Sequence, residues 1–351
     1  MGYQLVISRP RTVEILEYPE RALAGDEVRL HTLYSGISAG TEMSQYRGTN
    51  PYLQKRWDPA RRLFLPSDGP SKAYPVSGFG YEEVGEAVEV GKDVRAFPLG
   101  AIVYGTWGHR TTYVMPAEQA AWRILPEGLE PILGIFSHIG SIALNGVHDA
   151  GILIGETVAV FGLGVPGQIV AQLAAKSGAR VLGADPIEAR LALAGRLAGL
   201  EAGINPLDGS PAEHIKELTG GLGADVAIEV SGVPAALNEA IRAAAYSSRV
   251  VALGFFQGEA RGLYLGEEFH HNRIALVCSQ ISGTAPGISH RWNRQRLART
   301  VMSLQRKGTL NLRPLVTHVF PFERAADAFR LLDERPEEAL QVVLDLREAA
   351  A

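Results

Sequence analysis

One cysteine, Cys278, in 351 residues leaves no internal disulfide and no multi-cysteine metal site to build on. Aromatic residues are sparse at 7%, and neither sign of charge dominates, with 34 Lys and Arg against 38 Asp and Glu. The net charge of −4 provides no basic footprint for nucleic acid. Long apolar runs are lacking as well. Thr157–Ala175, 19 residues without a charge, approaches spanning length, but Gly162, Gly164, Pro166, Gly167, Gln168 and Gln172 interrupt it. The opening stretch MGYQLVISRPRTVEILEYPE holds charges where a signal peptide needs an apolar segment. The expectation is a cytoplasmic protein acting on a small molecule, with neither membrane nor nucleic acid as partner.

What is present is an ordinary globular composition, 46% hydrophobic and 21% charged. At about 150 residues per domain the length suits two domains. The first 130 or so residues read as strands: Gln4–Ile7, Thr12–Leu16, Glu27–Leu33, Glu83–Val90, Ile102–Tyr104 and Thr111–Met115, parted by Gly- and Pro-bearing turns. Between them Asn50–Tyr74 is loop-like and basic, with Lys55, Arg56, Arg61, Arg62 and Lys72 beside Trp57. From Pro131 to about Gly254, apolar strands alternate with Ala- and Leu-rich helical stretches, the pattern of a parallel sheet. The apolar run Leu340–Leu346 reads as a strand returning to the first domain.

The strand Thr157–Phe161 leads directly into Gly162-Leu-Gly164-Val165-Pro166-Gly167 and then into the helical Gln168–Lys176. Each glycine has a task. Gly162 permits the tight turn, Gly164 lets backbone approach a pyrophosphate, and Gly167 lets helix and strand pack closely. The helix N-terminus offers N–H groups and a positive dipole end to phosphate, and Pro166 suits a first turn. Asp185, 23 residues beyond Gly162, ends the next strand, where a carboxylate accepts ribose hydroxyls and repels the 2′-phosphate of NADP. NAD is therefore the expected cofactor. Arg190 beyond it, and Ser231, Gly254 and Phe255 at strand carboxyl ends, complete the candidate cofactor set, although ordinary turn roles would explain the last three equally well.

A nucleotide fold in the second half and a β-rich segment before it resemble the medium-chain dehydrogenase/reductase superfamily, the zinc-type alcohol dehydrogenase-like proteins. The matching pieces are Gly36-Ile-Ser-Ala-Gly-Thr-Glu42, Pro75-Val-Ser-Gly-Phe-Gly-Tyr-Glu-Glu-Val-Gly85, the glycine loop, Ile204-Asn-Pro-Leu-Asp208 and Thr317-His-Val-Phe-Pro-Phe322. The resemblance implies an α/β protein: a Rossmann doubly wound parallel sheet at 140–282, and a β-rich GroES-like catalytic domain from 1–139 and 283–351. It also implies an active site in the cleft and a homodimer or homotetramer.

Departures from the family shape the chemistry. Where zinc-dependent members carry ligands, this chain has Ser38 and Ala39 for a cysteine, Tyr81 for a histidine and His138 for a cysteine or acid, and the four-cysteine lobe is missing. Serine, tyrosine and histidine make a poor zinc set, so no metal is expected, a site from His138, Glu82 and a further acid being the other possibility. A similar cysteine-less loop and Gly-Tyr-Glu motif occurs in the subgroup resembling bacteriochlorophyllide hydroxyethyl dehydrogenases; the longer Thr41–Tyr81 gap keeps the substrate from being carried over. Without zinc, removing a hydroxyl proton needs a side-chain base. His138 is the first candidate, Tyr81 the second, and Thr41 stands where relatives relay the proton through a hydroxyl. Ser38, Glu82 and Trp107 are the candidate substrate contacts, with Glu82 also readable as a structural acid paired to an arginine and His109 as an ordinary loop residue. The stretch Arg291–Arg299 reads as the solvated face of a helix, and His270-His271 as a surface loop. The expected activity is zinc-independent, NAD-dependent interconversion of a secondary alcohol (sugar, polyol or cyclitol-like) and its ketone. The alternatives are a quinone or enoyl reductase, or a non-catalytic nucleotide-binding protein.

Overall fold

A computed structural model describes residues 1–65 and 69–349 of the chain. Residues 66–68 of the basic 50–74 stretch thus lie outside the described residues. Contacts divide the chain into two units, 1–138 with 312–351, and 139–311.

The second unit is built on a six-stranded sheet in the order Ala202–Ile204, Arg180–Ala184, Thr157–Phe161, Ala224–Glu229, Ala244–Ala252, Ala275–Cys278, every neighbouring pair parallel. Starting centrally, running outward and then reversing is the doubly wound order. All five residues of Thr157–Phe161 are buried, as a strand covered by helices on both faces requires. The helices are punctuated locally. Ser210 caps Pro211–Leu218 by accepting from the Glu213 N–H, and Gly199 closes Glu188–Ala198 at φ 68°, a left-handed conformation that disfavours a side chain.

The segment 283–311 groups with this unit, against the expectation that residues from 283 onward join the first. Helix Arg294–Arg306 buries Leu297, Val301 and Met302, and Val301 fills the space beside Gly140, where a Cβ would stand 2.6 Å from its methyl group. Gln172 fixes the segment's end, accepting from the Asn311 N–H at 2.9 Å. Arg294, Arg296 and Arg299 lie on the exposed face of that helix, as its sequence implied. His270 and His271 close a four-residue helix, Glu268–His271, where a loop was expected.

In the first unit the strand Glu27–Ile37 is the spine. It pairs antiparallel with Glu83–Val90, with Thr112–Pro116 and with Gln341–Asp345, so the C-terminal strand does return to this sheet. Val316–Pro321 and Ile102–Gly105 extend it at the two sides, and a smaller sheet holds Gly2–Arg9, Thr12–Tyr18 and Val76–Ser77. One core gathers Leu5, Ile37, Met43, Phe79, Phe322 and Phe329; another gathers Val28, Leu30, Val103 and Trp107. The basic 50–74 stretch contains a short hairpin, Arg56–Asp58 with Leu63–Leu65, on which Tyr52, Trp57 and Phe64 pack their rings.

Candidate active site

In the second unit the glycine loop has the stereochemistry its sequence demands. Gly162 sits at φ 90°, and a Cβ there would come within 2.9 Å of the Ser231 backbone N. A Cβ on Gly167 would lie 2.0 Å from the Gly162 carbonyl oxygen, so no larger residue fits. Gly164 is different: it precedes helix Val165–Lys176, no side chain caps that helix, and a Cβ would meet nothing within 4 Å. An open cradle ahead of a helix N-terminus is what a pyrophosphate needs. Asp185 closes the arrangement. Its carboxylate accepts from the Leu163 N–H at 2.7 Å and the Ile187 N–H at 2.9 Å, binding the glycine loop to the end of the second strand.

Arg190 lies on the following helix, where its carbonyl accepts from the Gln168 amide at 2.8 Å. Glu229, which the sequence reading passed over, organises the next strand end. Its buried carboxylate accepts from the backbone N–H groups of Ser231 (2.6 Å) and Gly232 (3.0 Å) and from the Ser231 hydroxyl. Burial raises its pKa, and those hydrogen bonds oppose the rise. Gly254 packs so tightly on this turn that a Cβ would stand 2.2 Å from the Gly232 N, while Phe255 beside it is exposed.

In the first unit, four of the sequence candidates come together. The loop after strand Glu27–Ile37 presents Ser38, and Thr41 opens helix Thr41–Arg47. Tyr81 precedes strand Glu83–Val90, and His138 stands in the first turn of helix Phe136–Ala150. The Tyr81 phenol donates to the Ser38 hydroxyl, with the Thr41 hydroxyl hydrogen-bonded to the same group. The His138 ring meets the Tyr81 ring edge-on, centroids 5.1 Å apart. Thr41, Tyr81 and His138 keep partial exposure. Burial first, and then the charges of Glu82 and Glu42, push the Tyr81 pKa up, so this group remains a phenol at neutral pH and acts as a donor.

Behind them lies a fully buried network that the sequence reading missed. Glu42 accepts from the Ser38 N–H at 3.1 Å with one oxygen and holds His109 Nε2 at 2.6 Å with the other. His109 Nδ1 lies 2.7 Å from the Ser35 hydroxyl, which donates to Glu83 at 3.1 Å. Glu83 in turn accepts from the Trp107 N–H at 2.6 Å. With Ser35 donating onward to an ionised Glu83, Nδ1 donates to the Ser35 hydroxyl and Nε2 to Glu42, an arrangement that favours the imidazolium. Burial alone would lower the His109 pKa; Glu42, by charge and hydrogen bond, and then Glu83 outweigh it, and the pKa is raised. Burial, above all, pushes Glu83 up to about 7.

Three expectations need correction. Trp107 is a core residue at 5% exposure: its indole N–H donates to Thr32 at 2.9 Å and its ring stacks on Tyr113, so it offers nothing to a substrate. Glu82, 1% exposed, also faces inward, beside Gly36 and Gln341, with no arginine partner among the described residues and one oxygen without a hydrogen bond. Burial and then the neighbouring Glu42 and Glu83 raise its pKa well above the usual carboxyl range. His109 is no ordinary loop residue, being fully buried between the Glu42 carboxylate and the Ser35 hydroxyl. Two adjacent acids leading into the apolar strand at Val84 were the available signal; the partner 67 residues away was not readable.

Residues 166–297 match the family described as zinc-binding dehydrogenase. The D-guloside 3-dehydrogenase of Shigella flexneri is 31% identical over 345 residues, covering 97% of this chain and 98% of the relative. The chain belongs to the zinc-binding dehydrogenase family. It is an oxidoreductase of this nicotinamide-dinucleotide-dependent, alcohol dehydrogenase-like family. Two solved structures reproduce the fold over 98% of this chain and 99% of their own: one from Sinorhizobium meliloti 1021 bound to NADP (TM-score 0.76, 20% identity), and one from Escherichia coli CFT073, a short chain alcohol dehydrogenase complexed with NADH (TM-score 0.76, 22%).

The family name implies zinc, and the residues here do not fit it. Zinc takes thiolate, imidazole or carboxylate. At the positions that the resemblance aligns with the family's ligands stand Ser38, Tyr81 and His138; the first two are hydrogen-bonded to each other with the phenol pushed away from ionisation, which leaves the imidazole as the one zinc donor of the three. Among the described residues no group of three His, Cys, Asp or Glu side chains is arranged to hold a metal ion.

Proposed function

We propose that this chain is a zinc-independent, NAD(H)-dependent dehydrogenase that interconverts a secondary alcohol and its ketone on a sugar, polyol or cyclitol-like substrate. One observation carries the reading: Ser38, Thr41, Tyr81 and His138, three hydroxyls and an imidazole, gather at one place, and the family resemblance aligns Ser38, Tyr81 and His138 with metal ligands and Thr41 with a proton relay. The sugar-like substrate class is favoured by the D-guloside 3-dehydrogenase relative, matched along nearly its whole length. The departure from zinc ligands also favours the zinc-less subgroup of the family.

In this reading Gly162–Gly167 and the N-terminus of the helix after it hold the pyrophosphate, with Ser231, Gly254 and Phe255 at neighbouring strand ends. Asp185 favours NAD because a carboxylate repels a 2′-phosphate. The nicotinamide, when bound, supplies or accepts the hydride. Tyr81 donates a hydrogen bond to the substrate oxygen, and its phenol oxygen, still held at Ser38, then accepts from the Ser38 hydroxyl. The bond to the substrate strengthens as negative charge grows on the substrate oxygen, which is the requirement for catalysis. His138 takes the hydroxyl proton in oxidation and returns it in reduction, and Thr41 passes it along. The protein acts in the cytoplasm as a homodimer or homotetramer.

The test is NADH formation at 340 nm over a panel of glycosides, polyols and cyclitols, with NAD and NADP affinities measured alongside. The reading expects turnover with a secondary alcohol and a preference for NAD of about tenfold or more, equivalent to about 1.4 kcal/mol. Preference for NADP with turnover of quinones or enones would replace it with a reductase. Tight NAD binding without turnover of any alcohol or carbonyl would replace it with a nucleotide-binding protein.

A further inference from the structure

The His109–Glu42 pair lies one layer behind the candidate site, and its connections run toward that site. Glu42 is bifunctional: Oε2 is held by His109 at 2.6 Å, while Oε1 accepts from the Ser38 backbone N–H at 3.1 Å. Ser38 is the residue whose hydroxyl receives the Tyr81 phenol. Glu42, in the first turn of helix Thr41–Arg47, ties the preceding loop to that turn through the Ser38 N–H. Without His109 that carboxylate would be a buried charge with a single backbone donor, and it would turn toward water or other donors, taking Ser38 with it.

The imidazole is itself fixed on every side. Its titratable neighbours are Glu42 and, through Ser35, Glu83; the rings of Phe79 and Phe329 meet it edge-on at 5.1 and 6.1 Å. A side chain so enclosed has no freedom to follow a moving carboxylate, which is what a fixed reference point requires.

Resting on the proposed reading of the Ser38–Tyr81 site, we infer that His109 is a positioning residue of the reaction: through Glu42 it sets the place of Ser38 and therefore of the Tyr81 phenol. It touches no substrate. Where zinc-bearing relatives fix the reacting oxygen by a metal, this chain fixes its phenolic donor by a buried ion pair two residues removed.

Three measurements on the full chain test this. The first, amide hydrogen exchange at Ser38, needs no substrate: H109F frees the Glu42 carboxylate, and exchange at Ser38 rises while amides of the parallel sheet stay protected. The second is steady-state kinetics. Misplacement of a donor by about 1 Å costs roughly 100-fold, so H109F lowers kcat by roughly 10–100-fold with cofactor affinity unchanged. The third is a double-mutant cycle. In an S38A background the H109F change costs little more, because the hydroxyl it positions is already gone. Should H109F fail to fold, H109N carries the test, since its shorter amide can still meet Ser35 and no longer reaches Glu42; Ser38 exchange rises and kcat falls several-fold at constant KM. Ser38 exchange equal to wild type in these variants, or a H109F cost that adds in full to that of S38A, overturns the inference. A wild-type chain without turnover on any alcohol or ketone removes the proposed function, while the Ser38 exchange comparison still decides the role of His109.

Discussion

Replacing Glu83 by glutamine removes one titrating group from the buried network while keeping its size and an acceptor for the Trp107 N–H. In the folded chain burial raises the Glu83 pKa from 4.5 to about 7, His109 and the backbone donors opposing the rise. Between those two pH values the native chain holds a proton that the unfolded chain has released. Stability therefore falls as pH rises through this window, and the contribution is complete only below about pH 4.5. A shift of about 2.5 units at about 1.4 kcal/mol each is worth about 3 kcal/mol. For a unit of this size that corresponds to roughly 6–12 °C in Tm. His109 and Glu82, both raised, act in the same direction, so the wild-type curve descends from pH 5 to pH 8 by at least this amount. Between pH 5 and pH 8 E83Q should descend less by about 2.5 kcal/mol, since part of the contribution is already lost at pH 5, and removing the Glu83 charge also relaxes His109 toward its ordinary value, flattening the curve further. The assay is urea unfolding followed by circular dichroism at pH 5, 6, 7 and 8 for both proteins. Parallel curves, with E83Q offset but equally steep, would refute the reasoning.

Other consequences follow from single contacts. Gly164→Ala adds a methyl group where the protein itself has nothing within 4 Å, so Tm should stay within about 2 °C of wild type while dinucleotide affinity drops; Gly167→Ala, facing a carbonyl at 2.0 Å, should lower both. Calorimetric titration with NADH beside a thermal melt separates the two effects. Trp107→Phe leaves the Thr32 hydroxyl unpaired in the core and should cost about 1–3 kcal/mol of stability with KM unchanged. Tyr81→Phe removes the donor proposed for the substrate oxygen and should lower kcat about 100-fold, with NAD affinity preserved.

The parts of this molecule legible in the sequence are those whose causes are local. Strand, glycine turn and helix at Thr157–Lys176 follow one another without interruption, and each glycine's stereochemical role was readable before any coordinate. The strands of the first unit were readable for the same reason, their alternation and turn residues lying within a few positions of each other. The Ser38–Thr41–Tyr81–His138 grouping was accessible only through family resemblance, because nothing in the spacing of those residues brings them together. What escaped depends on distant partners. Trp107 looked like a pocket aromatic, and its decisive contact, Thr32, is 75 residues away. The pairing of His109 with Glu42 and the packing of Val301 on Gly140 are likewise products of the fold, invisible along the chain.

The most direct measurement sets turnover against metal content. Freshly purified protein is assayed with NAD and its alcohol before and after exhaustive dialysis against EDTA, with zinc quantified in the same samples. Side-chain chemistry at Tyr81 and His138 predicts equal rates before and after, and no stoichiometric zinc in either sample. Zinc bound in proportion to protein, lost together with turnover and restored with it on adding the ion back, would contradict it.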